Sequence, residues 1–174
     1  MRLWTVQHRA VLKSLEDTGE LAGDWTRVMS PSFSPAYREM VAEMARRGLD
    51  CAGRPPLWAW HGPDTRDDRV ALTAELLLNP QSPQEYELYA VLDLDVPDEF
   101  VLLSSYGRWN DFMEAIMFTR KSSPAMDWSI DPEEFGASIS WRVQACLPRI
   151  AGTWVLGVRP LEPLSDEPEE PATN

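Results

Sequence analysis

The sequence predicts an α+β fold: one domain in which a small mixed sheet of four to six strands packs against about three helices on one side. Three observations carry this. Residues 34–48 and 131–148 hold apolar side chains at helical spacing between residues that start and stop helices. Residues 88–96, LYAVLDLDV, alternate at period two, as a half-buried strand does. The chain has 174 residues, 44% of them hydrophobic, enough for one proper core. Residues 1–161 form the expected domain. Residues 162–174, EPLSDEPEEPATN, lack the apolar surface to fold and are expected to be a disordered acidic, Pro-rich tail.

The elements follow in order. Leu3–Gln7 reads as a strand, with Leu3, Thr5 and Gln7 on one face and Trp4 and Val6 on the other. It runs into a helix whose buried stripe is Val11, Leu12 and Leu15, and Gly19 suits the left-handed position past its end. Residues 19–34 form an irregular connection carrying Trp25. The next helix has Ser34 as N-cap and Pro35 in its first turn. Tyr37, Met40, Val41 and Met44 are its core stripe, and Gly48 is its stop. After Arg54-Pro55-Pro56, Leu57–Trp60 is a short strand and residues 61–69 a polar loop. Val70–Leu78 fits helix or strand equally.

Leu88, Ala90, Leu92, Leu94 and Val96 are the core face of the central strand. Tyr89, Val91, Asp93 and Asp95 take a face that must meet solvent or a polar cavity, because two unpaired carboxylates are not buried cheaply. Phe100–Leu103 is another strand, and Ser104-Ser105-Tyr106-Gly107 an elbow. The helix after it buries Trp109, Phe112, Met113 and Ile116. Asp131 caps the last helix, with Phe135, Ile139, Val143, Cys146 and Leu147 buried and Pro148 ending it. Thr153–Arg159 is the final strand.

The net charge is −12, and no Lys or Arg follows Arg159. Nucleic-acid binding rests on basic residues neutralising phosphates, so this balance argues against a nucleic-acid partner. Cys51 and Cys146 lie far apart in no metal or redox spacing, and reduced thiols are expected. The N-terminus lacks the apolar segment of a signal peptide, and no run approaches the ~18 apolar residues of a membrane span. The expected location is the cytoplasm, with no membrane contact.

Chemistry-bearing candidates are few. Gln7 ends a strand, where small-ligand sites often lie, and can equally satisfy backbone groups. Trp58 and Trp60, two apart on one strand, form one wall of a cleft or the lid of a core. The loop after them carries Asp64 and Arg66. Asp93 and Asp95 would stand roughly 6–7 Å apart on one face, a spacing that suits holding a metal, acid–base work or plain solvation. Ser104 and Trp109 mark the elbow. The chain has no phosphate-binding glycine loop, no His/Cys metal spacing and no G-x-S-x-G turn, so neither a metal nor a particular cofactor is indicated.

Several of these residues belong to a recognisable series. It comprises Leu3-Trp4-Thr5-Val6-Gln7, then Ala36-Tyr37 through Met40 to Met44, then Pro56-Leu57-Trp58-Ala59-Trp60 and Pro63-Asp64-Thr65-Arg66. It continues with Val96-Pro97-Asp98, Val101–Ser104, Trp109 and Ser140-Trp141. In this series the chain resembles the uncharacterised bacterial family known as domain of unknown function thirty-eight forty-one. It departs at Asp93, where that pattern has Glu, and at Ser105, where Asp is common. The resemblance implies a single bacterial domain and no activity.

Two functions are expected from different classes. One is a small bacterial ligand-binding domain with a Trp-lined polar cleft, extending to a nucleotide- or NAD-using transferase. A short strand entering a helix, with later acidic strands, resembles small ADP-ribosyltransferase-like folds. In that likeness Gln7 orients a ligand, Arg66 pairs with phosphate, Asp93 acts on a ribose hydroxyl, and Trp58 or Trp60 stacks a base. Ligand-binding roles fall on Trp58, Trp60, Asp64, Arg66, Ser104 and Trp109, and catalytic roles on Gln7 and Asp93. The other is a non-catalytic protein-interaction module anchored by exposed tryptophans. The partner is thus a small molecule or a protein. The first requires its residues around one concave pocket, the second an exposed apolar patch.

Overall fold

The computed structural model describes residues 1–28, 30–61, 67–78, 80–118, 125–136 and 142–164. Strand β1 (Arg2–His8) passes directly into helix α1 (Arg9–Thr18). His8 caps that helix, its Nδ1 accepting from the Ala10 N–H at 3.1 Å, and Gly19 closes it at φ +74°. Then come β2 (Glu20–Ala22), α2 (Ser34–Arg46), β3 (Leu57–His61), α3 (Asp67–Leu78), α4 (Pro83–Tyr86) and β4 (Tyr89–Asp95). The chain continues through β5 (Leu102–Ser105), α5 (Tyr106–Phe118), α6 (Pro132–Gly136), β6 (Val143–Leu147), β7 (Arg149–Ala151) and β8 (Val155–Pro160).

The α+β class is as the sequence predicts. The main sheet has six strands in the order β5-β6-β3-β1-β4-β8, and each adjacent pair is antiparallel. A second, two-stranded sheet pairs β2 with β7. Helices cover both faces of the main sheet, where the sequence suggested one. On one face Leu3, Leu57, Leu92 and Leu147 pack with α1 residues Val11 and Leu15 and with Leu21 and Ile150 of the small sheet. On the other, Trp4, Trp60 and Val91 meet Val70 and Ala74 of α3 and Tyr86 of α4. Beside them Leu102 and Cys146 meet Met40 and Met44 of α2 and Trp109 of α5.

Double coverage corrects several expectations. The apolar stripe read as a helix over 131–148 is a short helix, α6, and a strand, β6. Residues 137–141, including Ile139, Ser140 and Trp141, lie outside the described residues. All five residues of β6 are buried. A strand covered on both faces has no alternation, so Val143, Cys146 and Leu147 mimicked helical spacing. For the same reason the second face of β4 meets solvent only in part: Val91 is fully buried and Asp93 partly so, while Asp95 at the strand's end is exposed. Leu88, expected in the core, precedes β4 and is 47% exposed.

Three smaller expectations also move. Residues 98–100 form a 3₁₀ turn, so the following strand begins at Leu102. Ser34 lies inside α2. The side-chain cap belongs to Ser30, which opens a 3₁₀ turn (Pro31–Phe33) leading into the helix. The ambiguous stretch 70–78 is helical, within α3. Residues 165–174, most of the expected tail, lie outside the described residues.

Two local features generate predictions. Ala52 and Gly53 sit at φ +50° and +73°, and the Arg54 N–H donates to the Cys51 carbonyl at 2.9 Å. Positive φ at both central residues makes a type I′ turn, which favours Asn or Gly where this chain has Ala. Ala52→Gly should therefore stabilise the fold by about 0.5–1 kcal/mol. The midpoint of thermal unfolding should rise about 1–4 °C, and a fall would refute the strain.

Glu43 supplies the second. Its carboxylate accepts from Arg46 Nε at 2.8 Å and Arg47 Nε at 2.6 Å. Burial raises its pKa, but the two guanidiniums outweigh burial and hold it below the ordinary carboxylate value. The unfolded chain binds that proton more readily than the folded one. This increment of stability is thus complete above the unfolded pKa of about 4.3 and fades as pH falls through the lower folded value. Urea midpoints measured from pH 6 to 3 should fall less steeply in Glu43→Gln than in the native chain.

Candidate functional site

The site begins where two central strands part. Strands β1 and β3 pair only at Leu3 with His61 and Trp4 with Trp60. Past that point a side chain takes over. The Thr5 hydroxyl donates to the Trp58 carbonyl at 2.5 Å, and Gln7 Nε2 donates to Thr5 Oγ1 at 2.9 Å. The opening leads into a cavity of about 330 Å³ that takes its walls from both faces of the sheet. Val11 and Leu21 line it on one side. Tyr37, Trp58, Trp60, Tyr106 and Trp109 line it on the other, with Thr73 and Leu77 of α3.

The aromatic wall is one packed array. Trp58 lies 5.2 Å from Trp109 and 5.7 Å from Tyr37 between ring centroids, and Tyr37 meets Trp109 edge-on at 5.8 Å. Tyr106 stands edge-on to Trp60 at 5.1 Å. Such tilted and edge-to-face pairs fix ring orientation beyond simple burial. Trp60 and Trp109 are core residues at 4% and 1% exposure, whereas Trp58 is half-buried.

The connection after β2 closes the mouth. Gly23 lies so close to the chain at Pro55 that a Cβ there would stand 1.9 Å from the Pro55 carbonyl oxygen. Only glycine permits that approach. Trp25 Nε1 donates to the Gly53 carbonyl at 2.7 Å, and the Arg38 guanidinium stacks 4.9 Å above the Trp25 ring. Asp24 and Arg27, both cavity-lining, face each other at 4.0 Å.

Interior and mouth differ in charge. Burial pushes the Tyr37 phenol up to about 12, so it stays neutral. The backbone N–H of Thr26, with its hydroxyl, keeps the exposed Asp24 carboxyl below its ordinary value, so it stays ionised. The cavity is thus neutral and aromatic inside, with an ion pair outside.

Of the residues singled out from sequence, Gln7, Trp58, Trp60 and Trp109 line this cavity. Asp93 and Ser104 do not. Asp93 pairs with Trp4 across β1–β4, and Gln7 pairs with Ala90. Gln7 stands an odd number of residues from Trp4, so it and Asp93 project from opposite faces of the sheet. Asp93 Oδ2 accepts from Arg159 Nε at 3.1 Å, and Asp95 pairs with Arg2 and the terminal ammonium. Ser104 is fully buried, its Oγ accepting from Gln144 Nε2 at 2.7 Å. Asp64 and Arg66 lie outside the described residues.

Thr5, Tyr37, Tyr106, Asp24 and Arg27 were not singled out. Thr5 had a signal, since it shares the face of Gln7 two residues on. Tyr37 sat in a stripe that read as core, which in part it is. Among the described residues no three His, Cys, Asp or Glu side chains cluster as metal ligands, and no helix is long and apolar enough to cross a membrane.

Thr5 is the joint of the site, and its removal is measurable. Thr5→Val leaves the Trp58 carbonyl without its donor and Gln7 without its acceptor. It should cost about 1–3 kcal/mol in denaturant unfolding and alter the fluorescence of the aromatic array. An unchanged midpoint would mean that the hydroxyl holds nothing.

No curated protein and no solved structure matches this chain. The model of a family described as Domain of unknown function (DUF3841) matches residues 2–144. The match takes in every described cavity wall and ends within β6, short of β7 and β8. The chain belongs to the DUF3841 family.

Proposed function

We propose that this chain is a small-molecule-binding domain that takes one aromatic ring into the cavity between β1 and β3. One observation carries the reading: Trp58, Trp60 and Trp109, distant in sequence, converge with Tyr37 and Tyr106 on a single concave space. At about 330 Å³ the space lies near the lower end of the roughly 300–1,000 Å³ usual for ligand pockets. That suits one planar ring with a short substituent better than a whole dinucleotide. A charged substituent would extend to the mouth, where Asp24 and Arg27 lie.

Binding is better supported than group transfer. The transferase reading needs Asp93 at the ligand, and Asp93 is engaged by Arg159 and is not among the cavity-lining residues. Asp24 is the one carboxylate among the cavity-lining residues, and Thr26 and Arg27 already engage it. An interaction module would use exposed tryptophans, whereas Trp60 and Trp109 are buried. The free thiols of Cys51 and Cys146 support a reducing, cytoplasmic setting, and the family resemblance supports a bacterial one.

The test is a thermal-shift and tryptophan-fluorescence titration with neutral heteroaromatics, nucleosides and nicotinamide dinucleotides. A ligand at 100 times its Kd adds about 2.7 kcal/mol, or roughly 5–10 °C for a chain of this size. Single-ring compounds should shift the midpoint and quench fluorescence, and Trp58→Ala should weaken them at least about tenfold. A panel in which none shifts the midpoint would overturn the proposal.

A further inference from the structure

We infer that the ring accepted by this cavity carries a lactam or primary-carboxamide edge, and that Gln7 is the residue that reads it. The inference rests on the ligand-binding reading above and adds the chemistry of the bound edge.

The argument starts from one hydrogen. Thr5 has a single hydroxyl proton, which it donates to the Trp58 carbonyl at 2.5 Å. Toward Gln7 the same oxygen can then only accept. This fixes the orientation of the Gln7 amide: Nε2 turns to Thr5, at 2.9 Å, and Oε1 turns away. One amide N–H and the Oε1 lone pairs remain, and among the described residues neither has a hydrogen-bond partner. Gln7 is half-buried and lines the cavity at the gap between β1 and β3, projecting from the sheet face that carries Leu3 and Val11.

A donor and an acceptor side by side on a neutral amide are complementary to an edge bearing N–H beside C=O. Uracil-type lactams and nicotinamide-type carboxamides share that edge. The surroundings exclude its charged relatives. Tyr37 stays protonated, and the only cation lining the cavity among the described residues is Arg27, at the mouth against Asp24. A carboxylate placed at Gln7 would meet the Oε1 dipole with no cation to offset it. A ring with neither group would displace water from Gln7 and return no hydrogen bond. A site built to hydrogen-bond such an edge rejects analogues that lack it.

The experiment uses two matched pairs, titrated into the full chain by fluorescence or calorimetry. One is 1-methyluracil against 1,3-dimethyluracil, which lacks the N3–H. The other is nicotinamide against nicotinate, which exchanges the amide for a charge. The first member of at least one pair should bind about tenfold or more tightly than the second, and the pair that does so tells a nucleobase source from a nicotinamide one. Gln7→Leu and Gln7→Met should each bring that ratio to within about twofold while ring binding persists, with circular dichroism confirming the fold. If one variant fails to fold, the other carries the comparison. Equal binding within both pairs, or a ratio that survives the substitutions, overturns the lactam inference and leaves the ring-binding reading standing. No binding of any of the four compounds removes both.

Discussion

Strand β1 lies inside the sheet, between β3 and β4, and both of its faces are covered. Nearly everything else about the molecule answers to that constraint. Leu3 and Trp4 point in opposite directions and are both buried. Burying the Trp4 ring alone is worth up to roughly 4–6 kcal/mol, from 150–250 Å² at about 25 cal/mol per Å². A strand so enclosed has no cheap place for a polar side chain, yet Thr5 and Gln7 follow directly. The chain resolves the conflict locally. Thr5 replaces a backbone rung with a side-chain one, Gln7 leans on Thr5, and the strands separate into a cavity. The candidate site is therefore a consequence of where β1 sits.

The same enclosure explains the unevenness of polar satisfaction. Trp4 Nε1, Trp58 Nε1, Asp93 Oδ1 and Gln144 Oε1 are buried with no hydrogen-bond partner among the described residues, and all four belong to strands of the main sheet. Such atoms are rare in native interiors, and each one forfeits hydration. Two of them, on Trp4 and Asp93, belong to cross-strand neighbours with complementary chemistry, a donor opposite an acceptor. The sheet interior thus concentrates both the rigid aromatic packing and the residual polarity of the domain.

What could be read from sequence depended in part on the number of covered faces. Helices with one apolar stripe were legible: α1 with its Gly19 stop, α2 and α5. β1 and β3, covered on both faces, were legible as short runs rich in large apolar and, in β1, β-branched residues. β6 was not, because VQACL is buried throughout and carries no period to distinguish strand from helix. At the site, Trp58, Trp60 and Trp109 stood out as bulky residues beside polar segments, and Gln7 as the polar end of a strand. Their convergence was invisible, since it depends on β1 pairing with β3 some 55 residues later. Asp93 misled because a carboxylate on an alternating strand suggests a free face. Its partner, Arg159, comes from β8, which no local pattern links to β4.

The placement of β1 also bears on how the chain reaches its fold. Strand β1 is made before either of its partners: β3 arrives about 50 residues later and β4 about 80 later, and β8 must still close the far side of β4. Until then Leu3, Trp4 and Val6 have no sheet to join. Such long-range pairings slow assembly, since the entropy of closing large loops is lost before the contacts that reward it form. A nascent chain of this family would therefore carry an exposed, aromatic, β-prone segment until β4 has been made. That segment is the natural point for a chaperone to engage, and the natural seed of aggregation when none does.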